Sequence, residues 1–210
     1  MKKNFFSIAV LALMAGTMTA QESGLNNQIH IGAKVGLNYS NKYDSQGEKY
    51  SADGKIGFAA GGFVSIPLNE FIGIQPELLF SQKGFKATST ILGADVTLTR
   101  TTNYIDIPIF LAIKPSEMLT ILAGPQYSYL IKQKDVFTNP ISNIETTQDF
   151  NTDNIRKNTL CLVGGVDINL ANIVLGARVG LDMYNNNGDG TSTTPRYKNV
   201  WAQATVGFRL

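Results

Sequence analysis

From residue 29 onward the chain repeats one pattern eight times: apolar side chains at every second position over about ten residues, the period of a β-strand. In the first segment Ile29, Ile31, Ala33, Val35, Leu37 and Tyr39 share a face, opposite His30, Lys34 and Asn38. The second (56–66) and third (72–83) follow the same rule, the third setting Ile72, Ile74, Pro76, Leu78 and Phe80 against Gln75, Glu77, Ser81 and Lys83. The fourth opposes Ile105, Ile107, Ile109, Leu111 and Ile113 to Tyr104, Asp106, Phe110 and Lys114. The fifth and sixth cover 121–131 and 160–170; the seventh sets Ile173 to Met183 against Gly176, Arg178, Gly180 and Asp182. The eighth sets Val200 to Leu210 against Trp201, Gln203, Thr205 and Arg209. Downstream of residue 20 no run approaches the roughly 18 consecutive apolar residues of a membrane helix.

The connections alternate in length. Pro67-Leu68-Asn69-Glu70, Pro115-Ser116-Glu117-Met118 and Leu170-Ala171-Asn172 are tight, whereas 41–54, 132–157 and 185–197 are longer and polar, with a short link near 92–95. Short turns at one end and long loops at the other describe an outer-membrane barrel, and an even strand number brings both chain ends to the short-turn, periplasmic side. The expected fold is an all-β, eight-stranded antiparallel up-and-down transmembrane β-barrel.

Alternation alone does not say which face is out. A soluble periplasmic barrel would turn the apolar face inward around a ligand. The polar face here is mostly Gly, Thr, Ser, Asn and Gln, and charged residues are only 16% of the chain, against about 25% in soluble domains. That favours an apolar face in lipid, where a midplane Lys or Arg costs about 2–4 kcal/mol. A barrel in lipid must close, so the first and eighth segments should pair. Pro76, Pro108 and Pro125 each remove a ladder donor inside a segment, and a bulge is expected at each.

The N-terminus reads as an address. Lys2 and Lys3 precede an apolar run from Phe5 to Met14, then small and polar residues up to Ala20, the layout of a cleaved secretory signal. The expected division is a signal peptide over 1–20, cut after Ala20, and a barrel domain over 21–210. Removing the signal takes two lysines from 18 basic and 16 acidic residues, leaving 16 against 16. A neutral chain is not expected to bind nucleic acid.

Gln75-Pro76-Glu77-Leu78-Leu79-Phe80-Ser81-Gln82-Lys83-Gly84 resembles the third strand of the PorT-type outer-membrane β-barrel family. Asn103-Tyr104-Ile105-Asp106-Ile107-Pro108 is similar to that family's next strand, and Gly124-Pro125 with Tyr127 to the following one. Gly32-Ala33-Lys34-Val35-Gly36-Leu37-Asn38 resembles its opening strand. The resemblance runs over nearly the whole mature chain. It implies an eight-stranded barrel in a Gram-negative outer membrane; the family's name-giving member is linked to secretion of surface proteins, most relatives have no assigned activity, and no catalytic motif is transferred.

The candidate site is a polar network in the lumen, formed by Glu77, Lys83, Asp106, Asp167, Arg178 and Asp182 with a structural role. With Gly93-Ala94 as the tip of its hairpin, Lys83 faces Tyr104 with Asp106 diagonal to it. With Ala171-Asn172 as a turn, Asp167 lies near Arg178. Eight strands leave room for side chains and not for a wide channel. No catalytic residue is expected: His30 is the only histidine, Cys161 the only cysteine, and Ser65 and Ser81 have no base predictable beside them. No cofactor or metal is expected, since the calcium-like run Asn185-Asn186-Asn187-Gly188-Asp189-Gly190 has Arg196 where a bidentate Glu is required. The loop 132–157 carries Phe137, Ile141, Ile144 and Phe150 among polar residues, so it is expected to rise as a hairpin or to contact a protein partner. Tyr39, Phe80, Tyr127 and Tyr129 read as an interfacial girdle. The expected function is a monomeric, non-enzymatic barrel with a structural or interaction role, an accessory of surface-protein secretion in its most concrete form. A soluble periplasmic ligand-binding barrel and an outer-membrane lipid-modifying enzyme stand as alternatives.

Overall fold

A computed structural model describes residues 28–43, 52–91, 94–138, 143–148, 156–186 and 197–210. The signal over 1–20, its cleavage bond, Ile141, Phe150 and most of the calcium-like run lie outside the described residues. The strands are β1 (His30–Tyr43), β2 (Ala52–Pro67), β3 (Ile72–Ile91), β4 (Ala94–Ile113), β5 (Leu119–Thr138), β6 (Asn143–Gln148), β7 (Asn158–Leu170), β8 (Ile173–Asp182) and β9 (Lys198–Arg209). All pairings are antiparallel, and β1 pairs with both β2 and β9. Eight strands therefore form a closed ring in the order β1-β2-β3-β4-β5-β7-β8-β9, and β6 hangs on the outer half of β5.

The apolar set of every segment faces outward. Val35 is 63% exposed and Ile109 53%, whereas Lys34 and Glu77 are each 4% exposed. This inverts a soluble barrel and overturns the ligand-carrying alternative. Tyr39, Tyr43, Tyr127 and Tyr129 lie on the outer surface towards the long-loop end, with Phe71 and Phe208 towards the other, a girdle at each interface. Phe80 stacks on Phe58 at 5.3 Å.

The proline expectation needs correction. Register is unbroken across Pro76 (to β4), Pro108 (to β5) and Pro125 (to β7). Each proline instead costs pairing on its other side: β2–β3 skips from Phe63↔Glu77 to Ile66↔Ile74, and the next two ladders skip likewise beside Pro108 and Pro125. A bulge would have turned the lipid-facing residues beyond it into the lumen, a larger cost than a missing donor. The register shifts lie further towards the long-loop end, between Gly54 and Ala59 and between Asn103 and Tyr104. At the second, Ile131 and Lys132 both point outward, and Gln133 and Asp135 turn in.

The loop 132–157 is in part strand. β5 continues to Thr138 and pairs there with β6 from Gln133↔Gln148 to Thr138↔Asn143. β3, β4 and β5 each run for 20 residues, against 10 for β8 and 12 for β9. One wall of the barrel thus rises well beyond the apolar band.

The β1–β9 seam closes the ring, and Gly36 sits in it with its α-carbon facing the lumen. A Cβ there would overlap the Ala204 carbonyl oxygen and come within 2.8 Å of Thr205 Cα, both backbone atoms that cannot swing aside. Gly36→Val is therefore expected to block closure: on a denaturing gel without boiling, the variant should lose the compact, heat-modifiable band that the parent shows, and an undiminished band would disprove the seam argument.

Candidate functional site

Inward parity turns polar residues of the ring strands towards one axis, and the lumen fills in layers. The lowest layer is an ion quartet. Arg178 of β8 meets both oxygens of Asp167 on β7, at 2.7 Å and 2.9 Å. Its Nη2 lies 3.5 Å from Glu77 of β3. Lys34 of β1 donates to the same Glu77 oxygen at 2.7 Å. Gln75 donates to Glu77 at 2.8 Å and to Asp167 at 3.3 Å. The quartet ties β1, β3, β7 and β8 across the barrel with two cations and two carboxylates, all at most 4% exposed. The cations also lie against rings, Lys34 Nζ 4.7 Å from the Phe63 centroid and Arg178 Cζ 5.4 Å from that of Phe110.

Above it Lys83 bonds Asp106 at 2.9 Å and sits between the rings of Tyr104 (5.0 Å) and Trp201 (4.7 Å). The register differs from the expected one. Ile91 pairs with Ala94, so Lys83 stands opposite Thr102 and not Tyr104. Its long side chain still spans the difference to Asp106. Asp182 stands apart from these ion pairs. It accepts from the Asn199 backbone N–H (3.0 Å), the Asn199 amide (2.6 Å) and the Cys161 thiol (3.1 Å). Between the layers Phe110, Ala112, Leu122, Cys161, Val163 and Trp201 form an apolar plug. The interior is thus bulkier than the small-residue lumen the composition suggested.

The sequence places Arg100 at an inward position, but its partners in the uppermost layer were not anticipated. Arg100 grips Asp135 with Nε at 2.8 Å and Nη2 at 2.6 Å, and donates to the Tyr197 hydroxyl at 3.1 Å. Phe85 packs edge-on against Tyr197 at 5.3 Å, with Lys42 Nζ 5.1 Å from the centroid of the Phe85 ring. Asp135 was missed because it faces inward only after the Ile131 bulge; the signal available was the adjacent pair Leu130-Ile131, which breaks the alternation. This layer lies above the apolar band. Burial opposes the Arg100 charge, but its hydrogen bond to Asp135 and the neighbouring Tyr197 and Asp135 raise its pKa overall. Burial raises that of the Tyr197 phenol, against the pull of Arg100.

Chemically the arrangement is a set of buried ion pairs around a plug, with Asp106 Oδ1 and Arg178 Nε buried without a hydrogen-bond partner. His30 lies at the rim, its Nδ1 3.2 Å from the Leu210 carbonyl. Cys161 is fully buried, and Ser65 and Ser81 are inward-facing wall residues. Among the described residues no group of three carboxylates, thiols or imidazoles could hold a metal.

A family model described as outer membrane protein beta-barrel domain matches residues 19–187. The chain belongs to that family. As a member of the outer membrane protein beta-barrel domain family, with its apolar faces outward, it resides in the outer membrane. No curated protein matches the chain. Among solved structures it is similar to Ail, the attachment invasion locus protein of Yersinia pestis, at 11% identity over 86% of this chain and 98% of that one, with a TM-score of 0.46. It is also similar to Neisserial surface protein A (13% identity, 86% and 96% covered, TM-score 0.46). A third similar structure is the outer membrane protein OprG from Pseudomonas aeruginosa (10%, 86% and 95%, TM-score 0.39).

Removing one member of a buried ion pair strands its partner, at a cost of about 3–5 kcal/mol. Arg178→Ala leaves Asp167 without its cation and Glu77 with Lys34 alone. The variant is expected to unfold from detergent at clearly lower urea than the parent and to show no conductance in planar bilayers, because the apolar plug remains. An unchanged urea midpoint would refute the stabilising role, and steady ion currents would refute the plug.

Proposed function

We propose that this protein is a non-enzymatic interaction barrel that presents a surface outside the cell, as a PorT-like accessory of surface-protein secretion. The observation that carries this reading is the asymmetric wall. β3, β4 and β5 continue past the apolar band, β6 adds a further strand there, and β6 pairs with no strand other than β5 among the described residues. A strand with one unused edge offers backbone donors and acceptors to an extended partner segment. The plugged lumen argues against solute transport as the main task. The buried Cys161 and the rim position of His30, bonded to main chain, support a role without catalysis. The closed ring leaves no edge within the membrane for a second copy, which supports a monomer there.

The PorT-like part rests on the resemblance of residues 75–84 and 103–108, and the interaction part on the raised sheet. Removing residues 139–148 takes away β6 while keeping Asp135 and its bond to Arg100. The shortened protein should insert and remain heat-modifiable. In a strain lacking the native protein, it should fail to restore export, leaving surface-protein cargo several-fold enriched in the periplasm. Full restoration of export by the shortened barrel would refute the raised sheet as the working surface.

A further inference from the structure

We propose that the outward face of the raised sheet docks the oligosaccharide headgroups of glycolipids in the outer leaflet. That face continues the lipid-facing side of β4. Ile109, Ile107 and Ile105 point outward, and Asn103, Thr101, Thr99 and Thr97 follow at the same parity, with the β3–β4 register unbroken from Leu79↔Asp106 to Ile91↔Ala94. The ladders set Thr88 of β3 opposite Thr97 on one side and Thr138 of β5 opposite it on the other. Thr88 and Thr97 share a hydrogen bond at 3.2 Å, and nearer the apolar band Gln82 donates to Asn103 Oδ1 at 3.2 Å. Five threonine hydroxyls on three adjacent strands are thus held on one face.

Height identifies the neighbour of this face. Thr101 stands four residues past Ile105, and Thr97 eight. With a rise of about 3.4 Å per residue and a tilt of about 40°, they lie roughly 10 Å and 20 Å above that isoleucine. An ordinary headgroup layer is only about 5–8 Å deep on each side of the hydrocarbon. Thr101 therefore clears it, and the rows above stand well beyond it. The component of an outer membrane that reaches this height beside a barrel wall is the sugar headgroup of its outer-leaflet glycolipid.

The chemistry of the face fits a sugar. A hydroxyl both donates and accepts, and each threonine keeps that capacity on a side chain stiffened by β-branching. Rows about 4.8 Å apart across the strands and about 6.7 Å apart along them meet successive hydroxyls of one saccharide chain. A protein partner would call for other residues, since hot spots are rich in Trp, Tyr and Arg and poor in Thr. Above Asn103 this face carries no aromatic ring and no arginine on β3, β4 or β5 among the described residues. Charge does not single it out either, because Lys86 stands opposite Asp53 in the β2–β3 ladder.

The test uses the mature barrel in vesicles of three compositions: phosphatidylethanolamine with phosphatidylglycerol, the same with a glycolipid bearing its core oligosaccharide, and the same with that glycolipid trimmed to its acylated, phosphorylated disaccharide. The readout is the temperature at which the compact gel band converts to the unfolded one. A rise with the full glycolipid, absent with the trimmed one, is expected. Thr97→Val, Thr99→Val and Thr101→Val combined keep the branched shape and remove the hydroxyls. This variant should match the parent in plain phospholipid and need at least about tenfold more glycolipid for half the rise. Thr88→Val with Thr138→Val tests the flanking strands in the same way, and the three central threonines changed to serine should retain most of the rise. An equal rise with the trimmed glycolipid assigns the effect to phosphates or acyl chains and overturns the proposal. An undiminished rise in the valine variants also overturns it and leaves the threonines as strand formers alone. The export reading rests on the β6 edge and this one on the outward face, so either can fail alone.

Discussion

In hydrocarbon an unpaired backbone N–H or C=O costs several kcal/mol, and no water is present to take it. The closed ladder follows from that constraint, and so does nearly everything else in this molecule. β1 must find β9, which requires a glycine at the tight point of the seam. The three internal prolines remove donors without breaking the ring. Each loses pairing towards one neighbour and keeps full register towards the other, so the defects run as a diagonal of short gaps and do not open an edge. Register is preserved because it also decides which face meets lipid, and a slip of one residue would reverse that for the rest of a strand.

Closure in turn inverts the usual core. With Ile, Leu and Val outside, the lumen receives the polar set, and an eight-stranded ring encloses too little water to solvate it. Charges placed there must find each other. The quartet of Lys34, Glu77, Arg178 and Asp167 does so by sharing: Glu77 serves two cations and Arg178 serves two carboxylates. Such pairs gain less from Coulomb attraction than they lose on leaving water unless the geometry is good. Their value here lies in orientation, because through Glu77 they join strands that are not neighbours in the ladder, β1 to β3 and β8 to β3, and so brace the ring from within. The aromatic rings beside Lys34, Lys83 and Arg178 supply the low-polarity packing that the plug completes.

The sequence announced the strand count, the outward face and the side on which the ends lie, because period-two alternation and loop length carry those directly. It also held most members of the lumen network, since a charged residue at inward parity has nowhere else to go. Three things were hidden. Lys83 was expected opposite Tyr104, but the tip pairs Ile91 with Ala94, and hairpin register depends on turn geometry that parity does not report. Bulges were expected at the prolines, where the chemistry is conspicuous, but they occur further towards the long-loop end, where a change of face costs nothing in lipid. Asp135 was lost for that reason: its inward direction exists only downstream of a bulge at Ile131.

That same bulge explains how a membrane barrel can carry a sheet above its rim. Past Ile131 the wall has no lipid to face, so its cohesion must come from contacts of another kind. Arg100, Asp135, Tyr197 and Phe85 provide one, a bidentate ion pair closed by a hydroxyl and two rings. It joins β3, β4 and β5 to the residue that leads into β9, across the mouth of the barrel. The extension is therefore anchored to the far wall and not left as a free flap. An anchored sheet presents its backbone edge in a fixed direction, which lowers the ordering cost of pairing with a partner strand.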